Sequence, residues 1–95
     1  MGGGDPAPSF KELKQQGAAI VDVRSVQEFN SGHINGSINI PLDKLPASLN
    51  KIPKNKPVIT CCASGMRSAS AKSILQNQGY DVYNGGGWVS LNNKL

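Results

Sequence analysis

The chemistry-bearing residues of this 95-residue chain concentrate in Val58-Ile59-Thr60-Cys61-Cys62-Ala63-Ser64-Gly65-Met66-Arg67-Ser68-Ala69-Ser70-Ala71. An apolar, β-branched run stops at a cysteine, small or flexible residues follow, and then come an arginine and a series of good helix formers. This order predicts strand, tight loop and helix, with a thiol where the loop opens and a guanidinium where the helix begins. Successive backbone N–H groups in such a turn form an anion nest, and the helix N-terminus adds unpaired donors and the positive end of a dipole. Donors of that kind favour the thiolate over the thiol, and the thiolate is the nucleophile. The stretch therefore predicts a thiolate enzyme that acts on a small anionic group.

Cys62-Ala63-Ser64-Gly65-Met66-Arg67 follows the pattern C-x-x-G-x-R, and three further segments accompany it. They are Asp22-Val23-Arg24 with Glu28-Phe29, then Gly32-His33-Ile34-Asn35-Gly36-Ser37-Ile38-Asn39-Ile40-Pro41, and finally Gly79 to Gly87. In this order the four resemble the D-V-R-x-x-x-E-[FY], G-H-I-x-G-[AS]-x-N-[IV]-P, loop and closing G-G elements of the single-domain rhodaneses, the thiosulfate sulfurtransferases. The resemblance covers about residues 9 to 90.

The resemblance implies a small parallel-sheet α/β domain and a double-displacement cycle. A sulfane sulfur from thiosulfate or a protein persulfide donor loads Cys62 as a persulfide, and cyanide or a thiol acceptor unloads it. Cys62 and Arg67 are the implied catalytic residues. The backbone amides and hydroxyls of Ala63, Ser64, Gly65, Met66 and Ser68 would bind the donor's anionic end or the persulfide. Arg67 would either point at the anion or brace the loop. No cofactor and no metal is implied. Rhodanese-like domains also serve as binding or sulfur-carrier modules, so a domain without significant turnover is an alternative.

A second enzyme class shares these residues. Counted from Cys61, Arg67 lies at C-x5-R, the spacing of cysteine phosphatases, whose wider bowl holds phosphate. Gly65 falls one place off that pattern, and Thr60 stands where a histidine is customary, so the phosphatase reading ranks behind. Cys61 is expected to pack in the core.

Other polar residues read as structural neighbours of the site. Arg24 and Glu28, four residues apart, are expected to form an ion pair, and Asp22 to bond backbone near the strand end. His33, the only histidine, is a possible general base by type but is structural at the equivalent family position. Trp88 is expected to cover the core rather than to serve as a ligand platform.

Composition excludes several classes. Two adjacent cysteines rule out a disulfide scaffold, and with one distant histidine they make a poor zinc site. The net charge of +4 comes from ten lysines and arginines spread along the chain, which argues against nucleic-acid binding while helping to draw in small anions. No apolar run approaches the roughly 20 residues needed to span a bilayer. Met1-Gly2-Gly3-Gly4 matches no signal peptide, so the cytoplasm is the expected compartment, or the periplasm if a native leader has been replaced. A monomer is expected.

The elements that must position the loop follow from local signals. Residues 1–8 are expected to be a flexible leader, and 9–95 one domain. Ser9 with Glu12 and Ser25 with Glu28 make capping boxes for two short helices, over 10–16 and 26–30. Strands are expected over 18–23, 37–40, 57–61 and 80–83. Leu42, Leu45, Leu49 and Ile52 recur at helical spacing, with Pro46 required in a first turn. Residues 68–78 form the best helix, with Ala69, Ala71, Ile74 and Leu75 as its apolar side and Gly79 as its stop. The family's first strand is expected to be short or missing, and its last helix to be a turn. Alternating strands and helices give a parallel sheet covered on both faces, with ligands beyond the carboxyl ends of the strands.

Overall fold

A parallel four-stranded sheet, in the order β2-β1-β3-β4, carries the chain in a computed structural model that describes residues 7–95. In chain order the elements are α1 (Phe10–Gln15), β1 (Ala19–Asp22), α2 (Val26–Ser31), β2 (Ile38–Asn39), two 3-10 turns (Leu42–Ala47 and Leu49–Lys51), β3 (Val58–Cys62), α3 (Met66–Asn77), β4 (Val82–Gly87) and α4 (Trp88–Asn93). Most of the expected leader lies outside the described residues. Ala7 and Pro8 have no regular structure, and no strand precedes α1 among the described residues.

Both capping boxes form as the sequence predicts. Ser9 and Ser25 each accept from the backbone of the glutamate three residues on, and each glutamate reaches back to the cap. In β3, alternation sends successive side chains to opposite faces. Val58 and Cys62 join Val21, Val23, Ile40, Leu45, Ala71 and Leu75 on the face covered by α3 and the 3-10 turns. Ile59 and Cys61 join Leu13, Ile20, Ile34 and Leu91 on the face covered by α1 and α4. The two cysteines therefore belong to different cores, and both are free thiols.

Several expectations are corrected. The leucine series from 42 to 52 forms 3-10 turns rather than an α-helix, and Pro46 lies inside the first of them. Proline has no N–H for an α-type ladder, and a short tighter turn tolerates it better. The buried Tyr80 ties this segment down by donating its hydroxyl to the carbonyls of Leu49 and Ile52 at 3.0 and 3.1 Å. Helix α3 starts two residues earlier than expected, at Met66, and buries Ser68, Ala71 and Leu75 while Ala69 faces solvent. β4 runs through the three glycines to Gly87, and the chain then makes a six-residue helix where only a turn was expected.

Candidate active site

The site is assembled at the carboxyl end of β3. Cys62 is the last residue of that strand, Ala63 and Ser64 form an exposed rim, and Gly65 caps α3. Gly65 has φ +109°, in the left-handed region that a side chain disfavours, and this turn aims its N–H back at the sulfur. The Gly65 N–H donates to Cys62 Sγ at 2.9 Å, and the Ser68 N–H, in the first turn of α3, donates at 3.3 Å. Two amides and a helix N-terminus thus converge on one sulfur, an arrangement that stabilises negative charge there. Met66 projects into solvent, with 82% of its surface exposed.

Gly87 answers the question of what stands across from the loop. It pairs in register with Cys62, after an irregularity in the ladder at Thr60/Cys62. A Cβ on Gly87 would come within 2.9 Å of the Ala63 carbonyl oxygen, so only glycine lets β4 back the loop this closely.

Arg67 makes its side-chain hydrogen bonds to Glu28 and none to the sulfur. Its guanidinium donates to both carboxylate oxygens of Glu28, at 2.7 and 3.0 Å, and the pair is partly exposed. This corrects the expected Arg24–Glu28 ion pair. Arg24 instead turns to the wholly buried Asp22, donating from Nε at 2.9 Å and from a terminal nitrogen at 2.7 Å, and reaches Glu28 only through its backbone carbonyl. The Arg24 guanidinium also stacks over Trp88, 4.8 Å from the ring centroid, and donates to the Gly32 carbonyl. Asp22 accepts from the Arg24 backbone N–H as well, which is the backbone bond expected of it.

The Arg67 guanidinium, followed by the Ser25 backbone N–H, holds the Glu28 carboxyl down to about 2, against an ordinary 4.5. A carboxyl depressed on folding contributes stability that is complete above its unfolded value and lost as pH falls through the folded one. The Tm gap between the wild type and Glu28→Gln should hold steady above pH 4.5 and close between there and pH 2. A gap unchanged at pH 2 would show that the carboxylate does not sustain the pair with Arg67.

The two thiols differ in environment. Burial, followed by the Asp22 carboxylate, pushes the Cys61 thiol up to about 12, and Arg24 only partly opposes this. Cys61 is therefore a thiol at neutral pH and fills the core.

The hydroxyl of Ser68 is taken up internally, which corrects its expected role as a ligand donor. It bonds Thr60 Oγ1 at 2.8 Å and donates to Asn84 Oδ1, so only the backbone N–H of Ser68 serves the sulfur. His33 lies in the segment after α2, with Nδ1 donating to the Phe29 carbonyl at 2.7 Å and its ring stacked on Phe29, a structural placement. Sequence reasoning missed Thr60 and Asn84, which pin α3 between β3 and β4. It also missed the positioning role of Asn39, whose side-chain amide donates to the carbonyls of Asp22 and Arg24. Asn39 is a specified letter of the G-H-I motif and so carries a signal, whereas Asn84 stands at an unspecified position of the Gly79–Gly87 segment.

A family model described as rhodanese-like domain matches residues 7–94. The thiosulfate sulfurtransferase GlpE of Pseudomonas savastanoi pv. phaseolicola is 36% identical over 87 residues, which cover 90% of this chain and 82% of that protein. A crystal structure of a rhodanese-like domain protein from Staphylococcus aureus superposes with a TM-score of 0.74 at 34% identity, covering 87% of this chain and 86% of that one. The human single-domain sulfurtransferase superposes with a TM-score of 0.72 at 26% identity, covering 97% and 99%.

Proposed function

The chain belongs to the rhodanese-like domain family, and from that premise we propose that residues 9–95 form one sulfur-transfer domain that works through a persulfide on Cys62. The observation that carries this reading is the convergence of the Gly65 and Ser68 amides on Cys62 Sγ. In the first step the Cys62 thiolate attacks the sulfane sulfur of thiosulfate or of a protein persulfide. A new S–S bond forms on Cys62, and the donor leaves with the electron pair of the bond that breaks, as sulfite or a thiolate. Cyanide or a thiol then takes the outer sulfur and returns Cys62 to the thiolate. The amides meet the charge on Sγ of the thiolate that attacks in the first step and returns in the second, and such preorganised donors need no rearrangement during reaction. The proposed setting is a monomer in the cytoplasm; no helix among the described residues is long and apolar enough to cross a membrane.

Arg67 acts here as a positioning residue that clamps the start of α3 to α2 through Glu28. If the clamp is its whole contribution, Arg67→Ala and Glu28→Ala should slow loading by a similar factor, and the double variant should be no slower than either one. A loss in Arg67→Ala alone of more than about a hundredfold, with Glu28→Ala near wild type, would instead assign the guanidinium directly to the anion.

Intact-mass measurement after thiosulfate treatment and buffer exchange tests the reading. One added sulfur atom, removed by cyanide with release of thiocyanate, supports it. Loading without unloading would indicate a sulfur carrier, and efficient cleavage of aryl phosphates lost in Cys61→Ser would overturn it in favour of a phosphatase. The elevated Cys61 thiol argues against the last outcome.

A further inference from the structure

Arg67, at the start of α3, shares with Val23, Ser25, Pro41, Leu42 and Asp43 the lining of a cavity of about 360 Å³. These residues follow the carboxyl ends of β1, β2 and β3, so the cavity sits at the same end of the sheet as Cys62. Val23 and Cys62 share one apolar cluster, and Leu42 packs against it. Val23, Pro41 and Leu42 give the cavity aliphatic walls suited to a short alkyl stem.

The charge around it is uneven. Arg67 is neutralised by Glu28, and the other ion pair among the described residues joins Arg24 to Asp22. Asp43 is exposed and belongs to neither pair, so the lining carries one uncompensated negative charge. A rim of that sign disfavours an anionic acceptor and suits a cationic one, although the chain as a whole is positive.

We propose that this cavity seats the acceptor, and that the acceptor is a small aminoalkanethiol whose ammonium group is met by Asp43. The inference deepens the sulfur-transfer reading and rests on it. The acceptor's sulfur attacks the outer sulfur of the Cys62 persulfide, and its thiol proton passes to solvent. A new S–S bond forms on the acceptor, the Cys62 S–S bond breaks, and its electron pair stays on Cys62 as the thiolate. The acceptor leaves as a persulfide.

Methyl NMR on the sulfur-free protein tests the cavity without any sulfur chemistry. At low salt, methylthioethylamine should shift the Val23 and Leu42 methyl signals saturably. Methylthiopropionate, of similar size and opposite charge, should bind at least about threefold more weakly, the effect of one exposed charge pair. Asp43→Asn should remove the difference, and Asp43→Lys should reverse it. Equal binding of the two, stronger binding of the anion, or no saturable shift at Val23 and Leu42 overturns the inference. On persulfide-loaded protein, the ratio of unloading by aminoethanethiol to unloading by mercaptoethanol should fall about threefold in Asp43→Asn; an unchanged ratio also overturns it. Cation-selective binding in a protein that never loads sulfur would instead overturn the sulfur-transfer reading and leave the ligand class of the cavity standing.

Discussion

Cys62→Ser should abolish sulfur loading from thiosulfate and reduce turnover by at least about a thousandfold, the scale of losing a covalent nucleophile. A serine hydroxyl at this position still accepts the Gly65 and Ser68 N–H bonds that Cys62 Sγ accepts, so the loop should keep its shape while losing its chemistry. Thermal unfolding of the variant should stay close to wild type. Cys61→Ser makes the opposite prediction. It places a hydroxyl in a fully buried apolar cluster, at a cost of about 1–3 kcal/mol, and leaves loading largely intact. Peptide mapping of the loaded protein decides between the two, and sulfur found on Cys61 would mean that the loop is read in the wrong frame.

Asp22→Ala should be among the most destabilising single changes in the chain. Asp22 is fully buried and Arg24 is 4% exposed, and removal of the carboxylate strands a buried guanidinium. Breaking a buried pair from one side costs about 3–5 kcal/mol, because the remaining charge stays desolvated without its partner. For a domain of this size that corresponds to a fall in Tm of at least about 12 °C. The damage should reach the site, since Arg24 also holds the Gly32 carbonyl, the Glu28 carbonyl and the Trp88 ring in place. Replacing the pair together, with Asp22→Leu and Arg24→Met, should recover part of the stability by removing the stranded charge. A cost below about 1 kcal/mol for Asp22→Ala, the value typical of an exposed pair, would show that the guanidinium finds water instead.

Local signals determined a good deal of this protein. The capping boxes at Ser9 and Ser25 specify two helix starts because their bonds span only three residues. The apolar, β-branched run from Val58 to Cys62 marks a strand buried on both faces, and Gly65 marks the left-handed turn that ends the loop. The family motifs, taken together, specify the sheet class and the candidate nucleophile.

The tertiary structure decided what depends on residues far apart in the chain. Glu28 stands four residues from Arg24 in a favourable helical spacing, yet its carboxylate goes to Arg67, 39 residues away, because α2 and α3 both start at the carboxyl ends of the neighbouring strands β1 and β3. Arg24, without the Glu28 carboxylate, is drawn inward by Asp22, which has no other salt-bridge partner among the described residues. The Ser68 hydroxyl turns from the loop to Thr60 and Asn84 once β4 lies beside β3. The three glycines, which resemble a loop when read along the chain, form the end of β4, where a Cβ on Gly87 would come within 2.9 Å of the Ala63 carbonyl oxygen and one on Gly85 within 2.7 Å of the Thr60 carbonyl oxygen. Spacing in a sequence ranks the partners that are near along the chain. The final pairing goes to the groups that packing brings together out of water, where a paired charge costs less than a lone one.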